Sequence, residues 1–262
     1  MRYRLGLVLS GGGVRGVAHA GVLKALTEHA IRPDCIAGSS SGALVGTLYA
    51  AGYSPEEMLQ FFVDKNHFRL SKLAMGKPGW IDTTKVAADF LEYFPDDSFE
   101  SLDGKLFVTA TDIVQGELAI FDSGPLISTI LASCSVPLVF TPTKIDDHSY
   151  CDGGIINNFP VEPLEGLCDE IIGVYASPIK DAQQTSLSSS VAVWQRALEV
   201  GSYFASKPKF GRCGLVICPV ALSRYGLFDT KQVGAIFEIG YAAALAQMES
   251  IKRVAEPRDG PA

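Results

Sequence analysis

The stretch LGLVLSGGGVRGVAHAGVLKAL, residues 5–26, runs from an apolar segment through three consecutive glycines into an amphipathic segment. Leu5–Leu9 predicts a buried strand, and Val17–Ala30 predicts a helix because its apolar residues recur every three or four positions. The order then repeats, with a short strand at Cys35–Gly38 and a helix at Ser41–Ala51. This βαβα start predicts a parallel sheet with helices packed on its faces.

The remaining chain continues to alternate strands and helices. No internal repeat or change of composition marks a boundary, so we expect one domain over residues 1–262, with residues 255–262 as a flexible tail. A polar stretch at Lys180–Ser190 predicts a surface loop. Further strands are predicted at Leu106–Ile113, Leu118–Phe121, Ile171–Ala176 and Leu215–Cys218. Further helices are predicted at Pro55–Asn66, Thr83–Phe94, Pro125–Ser133, Val191–Ala205 and Thr230–Val254.

The charge balance restricts the partners. The chain has 22 Lys and Arg against 29 Asp and Glu, a net charge of −7. Non-specific nucleic-acid binding depends on a basic surface, so we expect no nucleic-acid partner. The balance also argues against a permanent polybasic anchor on anionic lipid. No export signal or spanning apolar run is evident, which predicts a cytoplasmic protein with six reduced cysteines.

A candidate nucleophile lies between the second strand and the second helix. Residues 38–42 read GSSSG, a G-x-S-x-G motif centred on Ser40. A reactive serine benefits from a strained strand-to-helix turn that projects its hydroxyl, and Gly38 and Gly42 leave room for such a turn. The alternative interpretation is a serine-rich helix N-cap without catalytic function.

The glycine loop of residues 11–16, GGGVRG, fits the G-x-G-x-x-G pattern of dinucleotide-binding turns. Such a site needs an acidic residue after the second strand, but Ser40 lies there and Asp34 precedes that strand. Exposed amides beside a serine nucleophile suit an oxyanion hole instead. Arg15 either adds positive charge, or locks the loop by pairing with a carbonyl or carboxylate, or is an ordinary surface arginine. The candidate oxyanion-hole residues are Gly11, Gly12, Gly13, Arg15 and Gly16.

The general base is open at this point. His19 shares the apolar face of the first helix and is interpreted as a core histidine. A triad of Ser40, Asp112 and His148 is formally possible, but α/β-hydrolases place the nucleophile after several strands. Asp152 could instead accept the Ser40 proton directly, although the same residue could belong to an ordinary turn. That turn is formed by Gly153 and Gly154.

These motifs together resemble the patatin-like phospholipases. The family pattern combines G-G-G-x-R/K-G, G-x-S-x-G and D-G-G, which correspond here to residues 11–16, 38–42 and 152–154. The segments ASCSVPLVF, residues 132–140, and GGIINNFPV, residues 153–161, are also typical of the family. The resemblance is strong from Leu5 to Val161 and only general beyond.

The resemblance implies a three-layer α/β fold, with a mostly parallel central sheet and helices on both faces. It implies hydrolysis of a lipid acyl ester, with Ser40 as nucleophile and Asp152 as general base and acid. It requires no metal or other cofactor. Met58–Met75 could be an interfacial flap that makes transient contact with a membrane surface, or a core-facing helix and its following loop.

Two rival functions stay open in the sequence. A regulatory protein on the same fold could bind a lipid or phosphate with the glycine loop as an anion nest. A nicotinamide-dependent oxidoreductase is disfavoured, because no acidic residue follows the second strand. The motifs leave the substrate, the oligomeric state and the regulation undetermined.

Overall fold

The structure is a computed structural model that describes residues 2–63, 72–179, 187 and 189–256. Parts of the predicted flap Met58–Met75, of the predicted loop Lys180–Ser190 and of the predicted tail 255–262 lie outside these residues, as does the predicted helix end at Asn66. Among the described residues, no helix is both long and apolar enough to span a bilayer. All six cysteines are free thiols.

Eight strands form one sheet in the order β5-β6-β3-β2-β1-β7-β8, and β4 pairs with β3. The run from β3 to β8 is parallel, which confirms the predicted parallel core. The strands β4, β5 and β6 add an antiparallel part at one side. The strands are β1 Tyr3–Leu9, β2 Cys35–Ser39, β3 Lys105–Asp112, β4 Glu117–Phe121, β5 Thr143–Ile145, β6 His148–Asp152, β7 Cys168–Val174 and β8 Leu215–Ile217.

Two apolar cores lie on the two faces of the sheet. Along β1, Leu5, Leu7 and Leu9 join the larger core, whereas Val8 belongs to the smaller one. Alternate side chains of a strand point to opposite faces, so both faces of the sheet carry an apolar core. Helices pack on both cores, which gives the fold three layers. The helices are α1 Val17–Glu28, α2 Ser41–Ala50, α3 Pro55–Val63, α4 Thr83–Phe90, α5 Leu126–Ser133, α6 Ser190–Ser206, α7 Val233–Leu245 and α8 Met248–Ala255.

The hairpin of β5 and β6 was not predicted from the sequence. Its strands have three and five residues and few apolar side chains, so they carry little periodic signal. Asp146 between them has a φ of +51°, a left-handed conformation that aspartate tolerates in turns. The turn predicted at Asp152 is present: Asp152 is the last residue of β6 and caps a 3-10 turn at Gly153–Ile155.

The predicted helix Thr230–Val254 is wrong as a single element. A 3-10 turn at Thr230–Gln232 precedes α7, and α8 begins only at Met248. The chain turns between them because α7 packs closely against α1, whereas α8 packs on β7 and β8. The predicted helix Thr83–Phe94 also ends early, at Phe90.

Candidate active site

The glycine loop and Ser40 meet because the strands before them are parallel neighbours. Leu9 at the end of β1 lies opposite Gly38 near the end of β2. Both loops therefore leave the same edge of the sheet, as predicted. The contact is close, since a Cβ atom built on Gly11 would lie 3.1 Å from the Cβ of Ser40.

Ser40 occupies a strained turn between β2 and α2. Its φ of +52° and ψ of −126° are rare for a non-glycine residue, and they lift the side chain out of the line of the strand. Glycine is required on both sides. A Cβ at Gly38 would lie 2.6 Å from the backbone of Ala43, and a Cβ at Gly42 would overlap the carbonyl of Leu9.

Asp152 reaches Ser40 across β3. Ser39 pairs with Thr109 of β3, and the next residue of β3, Ala110, pairs with Asp152. Ser40 and Asp152 therefore lie at the same level on either side of one strand. The Ser40 hydroxyl donates a hydrogen bond to Asp152 Oδ2 at 2.6 Å.

The carboxylate of Asp152 is buried and held from both sides. Ser40 and Asp152 are only 6% and 7% exposed. The amide of Gly154 donates to Asp152 Oδ1 at 2.7 Å, so the carboxylate cannot turn freely. Burial raises the pKa of Asp152 to about 6, although the hydrogen bonds from Ser40 and Gly154 oppose the shift. A Cβ at Gly153 would overlap the carbonyl of Thr109, so the chain passes too close to β3 for any side chain there.

The glycine loop leaves two amides unused. The amide of Gly11 donates to the Asn158 carbonyl at 3.2 Å, and the amide of Arg15 donates to the Gly12 carbonyl at 3.2 Å. The amides of Gly12 and Gly13 have no acceptor among the residues that the structure describes. An unpaired amide that can face a cavity is free to bind an anionic oxygen.

Two glycines of the predicted oxyanion set, Gly13 and Gly16, also shape the loop. Gly13 has a φ of +57°, and a Cβ there would overlap the carbonyl of Leu227. A Cβ at Gly16 would overlap the side chain of Ser41, so this glycine lets the loop lie against α2. These close contacts fix the position of the loop beside Ser40.

Arg15 is buried beneath the loop, only 2% exposed. Its guanidinium donates to the Gly12 carbonyl at 3.4 Å, to the Ser177 hydroxyl at 3.3 Å and to Glu199 Oε1 at 3.1 Å. Burial lowers the pKa of Arg15, and the Glu199 carboxylate opposes that shift. Of the alternatives that the sequence left open, locking the loop by pairing fits these contacts, and a surface arginine does not.

Four supporting residues escaped the sequence analysis. Ser133 accepts a hydrogen bond from the Ser40 amide at 2.8 Å, and Ser177 donates to the Gly11 carbonyl at 2.9 Å. Asn158 donates to that carbonyl at 3.4 Å. Ser133 and Asn158 stood inside the family-like segments and could have been found there. Ser177 and Glu199 carry no local signal, because only the fold brings them to the loop.

His19 and His148 do not bond to the reacting pair. His19 is fully buried, and its Nε2 donates to the Ser10 carbonyl at 2.7 Å. Burial lowers its pKa to about 4, which agrees with a neutral core histidine. His148 and Asp112 do pair at 2.6 Å. However, His148 begins the strand that Asp152 ends, roughly 13 Å away along β6. The alternative triad is therefore not assembled around Ser40.

Two cavities open on Ser40. One has a volume of about 150 Å³ and is almost entirely apolar, with Phe61, Phe90 and Phe140 in its wall. The other has a volume of about 80 Å³ and is lined in part by Asp152 and Glu199, with hydroxyl and amide side chains beside them. The hydroxyl of Ser40 thus lies between an apolar cavity and a second cavity whose wall combines apolar surface with charged and polar side chains.

Comparisons with known proteins show the family of this chain. The model of the patatin-like phospholipase family matches residues 7–165. An uncharacterised NTE family protein of Mycobacterium tuberculosis is 32% identical over 188 residues, covering 69% of this chain and 52% of that protein. The lysophospholipase nte1 of Aspergillus fumigatus is 27% identical over an alignment of 287 residues, covering 95% of this chain and 18% of that protein.

The fold also matches a solved structure. The crystal structure of VipD from Legionella pneumophila superimposes with a TM-score of 0.53 and 13% identity, covering 95% of this chain and 67% of that one. The chain spans about half the length of the mycobacterial NTE family proteins with which it shares 32% identity. Because the family model matches more than half of the chain, over a segment that includes Ser40 and Asp152, this chain belongs to the patatin-like phospholipase family.

Proposed function

We propose that this chain is a serine hydrolase of lipid acyl esters that uses a dyad of Ser40 and Asp152. Family membership supports lipid hydrolysis in general. The observation that carries the specific proposal is the 2.6 Å hydrogen bond from the Ser40 hydroxyl to the buried Asp152 carboxylate. It joins a strained, projecting serine directly to a base, without an imidazole between them.

In the first half of the reaction, Ser40 Oγ attacks the ester carbonyl carbon while its proton moves to Asp152 Oδ2. The carbonyl oxygen becomes negative, and the free amides of Gly12 and Gly13 stabilise it. The N-terminus of α2, which begins at Ser41, adds positive potential beside the same point. When the tetrahedral intermediate collapses, the bond to the alcohol oxygen breaks and Asp152 returns its proton to that oxygen.

In the second half, water releases the acyl group from Ser40. Asp152 accepts a proton from the water as its oxygen attacks the acyl carbon. The same amides hold the new oxyanion, and the proton then passes to Ser40 Oγ as the acyl–serine bond breaks. The products are a carboxylic acid and the free enzyme. Every proton transfer is made by Asp152, so the scheme uses no other general base.

The two cavities suggest where the acyl part and the alcohol part of the substrate bind. An acyl chain suits the apolar cavity of about 150 Å³, because its burial there removes apolar surface from water. A small polar alcohol, such as a glycerol derivative, suits the cavity of about 80 Å³ beside Asp152 and Glu199. We therefore propose an ester of a fatty acid with a small polar alcohol as the substrate class.

Replacement of one hydroxyl group tests the function. Ser40→Ala should abolish hydrolysis of a p-nitrophenyl fatty ester and of a lysophospholipid, with a loss of at least about 10³-fold in kcat/KM. Ser39→Ala is the matched control, since it removes a hydroxyl from the same motif. The Ser39 hydroxyl is buried without a hydrogen-bond partner among the described residues, so its loss should leave both folding and turnover intact.

Two results would overturn the proposal. One is turnover by Ser40→Ala that equals the turnover of Ser39→Ala at the same thermal stability. The other is binding of lipid by the unaltered protein with no detectable hydrolysis, which would favour the regulatory lipid-binding alternative.

A further inference from the structure

Four exposed apolar side chains lie on chain segments that backbone hydrogen bonds join to one another. Leu73, Met75, Trp80 and Leu138 are 42%, 86%, 55% and 48% exposed, and they define the apolar rim. The Ala74 amide donates to the Trp80 carbonyl at 2.9 Å, and the Trp80 amide donates to the Leu138 carbonyl at 3.1 Å. The apolar rim is therefore one continuous piece of surface.

Leu138 is held in a costly conformation. Its φ of +69° lies in the left-handed region, which bulky side chains rarely adopt. The side chain is half exposed, so little core packing offsets this strain. Glycine or asparagine would suit the backbone better, which indicates that an apolar side chain at this position serves something other than stability.

The apolar rim adjoins the entrance to the candidate active site. Val136 lines both cavities beside Ser40, and Pro137 lines the one that also contains Asp152 and Glu199. Phe140, two residues after Leu138, lines the apolar cavity. A lipid that leaves a membrane at the rim would therefore reach Ser40 along an apolar path, with its acyl chain already at the apolar cavity.

Among the residues that the structure describes, the charged groups that pair or bond beside the rim are nearly balanced. Lys72 forms an ion pair with Asp89, and Lys77 pairs with Asp82 at 2.6 Å. Lys85 donates to the Leu73 carbonyl at 3.0 Å. These five charged groups sum to a single positive charge, on a chain whose net charge is −7. Such a border matches an electrically neutral surface better than a strongly charged one.

We propose that the apolar rim docks this protein on a neutral lipid surface by inserting Trp80, Met75 and Leu138 at the interface. The choice of a lipid layer rests on the proposed function, which requires a substrate held in such a layer. Tryptophan is favoured at membrane–water interfaces, and the affinity of this kind of contact follows the apolar area that is buried. Docking in this way brings the substrate to the mouth of the site.

Tryptophan fluorescence measures the docking directly, because the chain has two tryptophans and Trp194 lies on α6, outside the rim. In a Ser40→Ala, Trp194→Phe background the only emitter is Trp80, and no substrate is consumed. Adding phosphatidylcholine vesicles should shift its emission to shorter wavelength. In a Ser40→Ala, Trp80→Phe background, the emission of Trp194 should stay unchanged.

A matched pair of substitutions separates docking from folding. In the Ser40→Ala background, Leu138→Asn removes the apolar side chain and relieves the backbone strain, so thermal stability should stay equal or rise. Its partition onto vesicles should fall about tenfold, as expected for the loss of one inserted leucine. Phe204→Asn is the control, since Phe204 is 62% exposed on α6, outside the rim, and its replacement should leave partitioning unchanged.

Several outcomes would overturn this proposal while leaving the hydrolase proposal intact, because both measurements use Ser40→Ala. One is an unchanged Trp80 emission at saturating vesicle concentration. Another is an equal effect of Leu138→Asn and Phe204→Asn on partitioning. Binding only to anionic vesicles, abolished by 0.5 M salt, would indicate electrostatic attraction instead. A dimer that Leu138→Asn dissociates would make the rim an interface between copies of this chain.

Discussion

Asp152 carries the proton transfers of the proposed reaction, and its burial tunes it for them. A carboxylate in water is too weak a base to take a proton from a serine hydroxyl efficiently. At Asp152 burial raises the pKa to about 6, which brings the carboxylate closer to the basicity of a histidine. The same residue is still ionised above pH 7, so it can begin the reaction as a base.

This titration predicts how activity depends on pH. Only ionised Asp152 can accept the Ser40 proton, so kcat/KM should rise with pH through an apparent pKa near 6 and then level off. The profile is measured with an aryl fatty ester, after subtraction of its spontaneous hydrolysis, and Ser39→Ala should give the same midpoint. A profile that is flat from pH 4.5 to 8 would contradict the role of Asp152 as base.

The same raised pKa predicts that the stability of the folded protein falls as the pH rises, whereas the activity increases. The folded-state pKa, about 6, lies above the ordinary aspartate value of 3.8, so the folded protein holds this proton more tightly than the unfolded chain. The resulting stabilisation is fully present below pH 3.8 and is lost as the pH rises through 6, a difference of about 3 kcal/mol. Asp152→Asn should therefore raise the Tm at pH 8 and change it little near pH 4. Thermal melts at the two pH values check this, and a Tm lowered at pH 8 would refute it.

At the scale of elements, the helix pair α1 and α7 depends on two glycines. A Cβ at Gly21 would overlap the carbonyl of Phe237, and a Cβ at Gly240 would overlap the carbonyl of Ala18. The backbones of the two helices therefore touch without side chains between them. The sequence predicted α1 by its apolar spacing and α7 only as part of one longer helix, and only the packing of the two explains why glycine lies in the middle of each.

Substitutions along α7 test this contact. Gly240→Ala should lower the free energy of unfolding by at least about 2 kcal/mol, because backbone atoms must move to admit the methyl group. Gly234→Ala is the matched control in the same helix, since a Cβ there meets no atom within 4 Å. It should stabilise the protein by about 0.5–1 kcal/mol through helix propensity. Urea titrations measure both values, and a neutral Gly240→Ala would disprove the close approach.

Some elements of the fold could be predicted from the sequence and others could not. The strands and helices around residues 5–51 have strong apolar periodicity and glycine punctuation, so their order predicted the parallel core. The hairpin of β5 and β6 is short and polar, and its formation depends on pairing with β3, which no local pattern encodes. The break between α7 and α8 likewise results from two different packing partners.

At the scale of the whole molecule, one edge of the sheet gathers the motifs. Parallel β1 and β2 bring the glycine loop to Ser40, and antiparallel β6 delivers Asp152 from the other side of β3. The three motifs were recognisable in the sequence because they are local. Glu199 was not, because its role depends on α6 folding back over the loop to meet Arg15. Distant residues that complete a local motif are visible only in the assembled fold.

The central claim is that the fold brings the Asp152 carboxylate to the Ser40 hydroxyl and thereby makes that hydroxyl nucleophilic. Reaction of the intact protein with a fluorophosphonate, followed by peptide mass spectrometry, tests this claim most directly. We predict one adduct per chain, on Ser40, that forms far more slowly in Asp152→Asn and at an unchanged rate in Ser39→Ala. An adduct on another residue, or labelling of Ser40 at the same rate without the Asp152 carboxylate, would contradict the account.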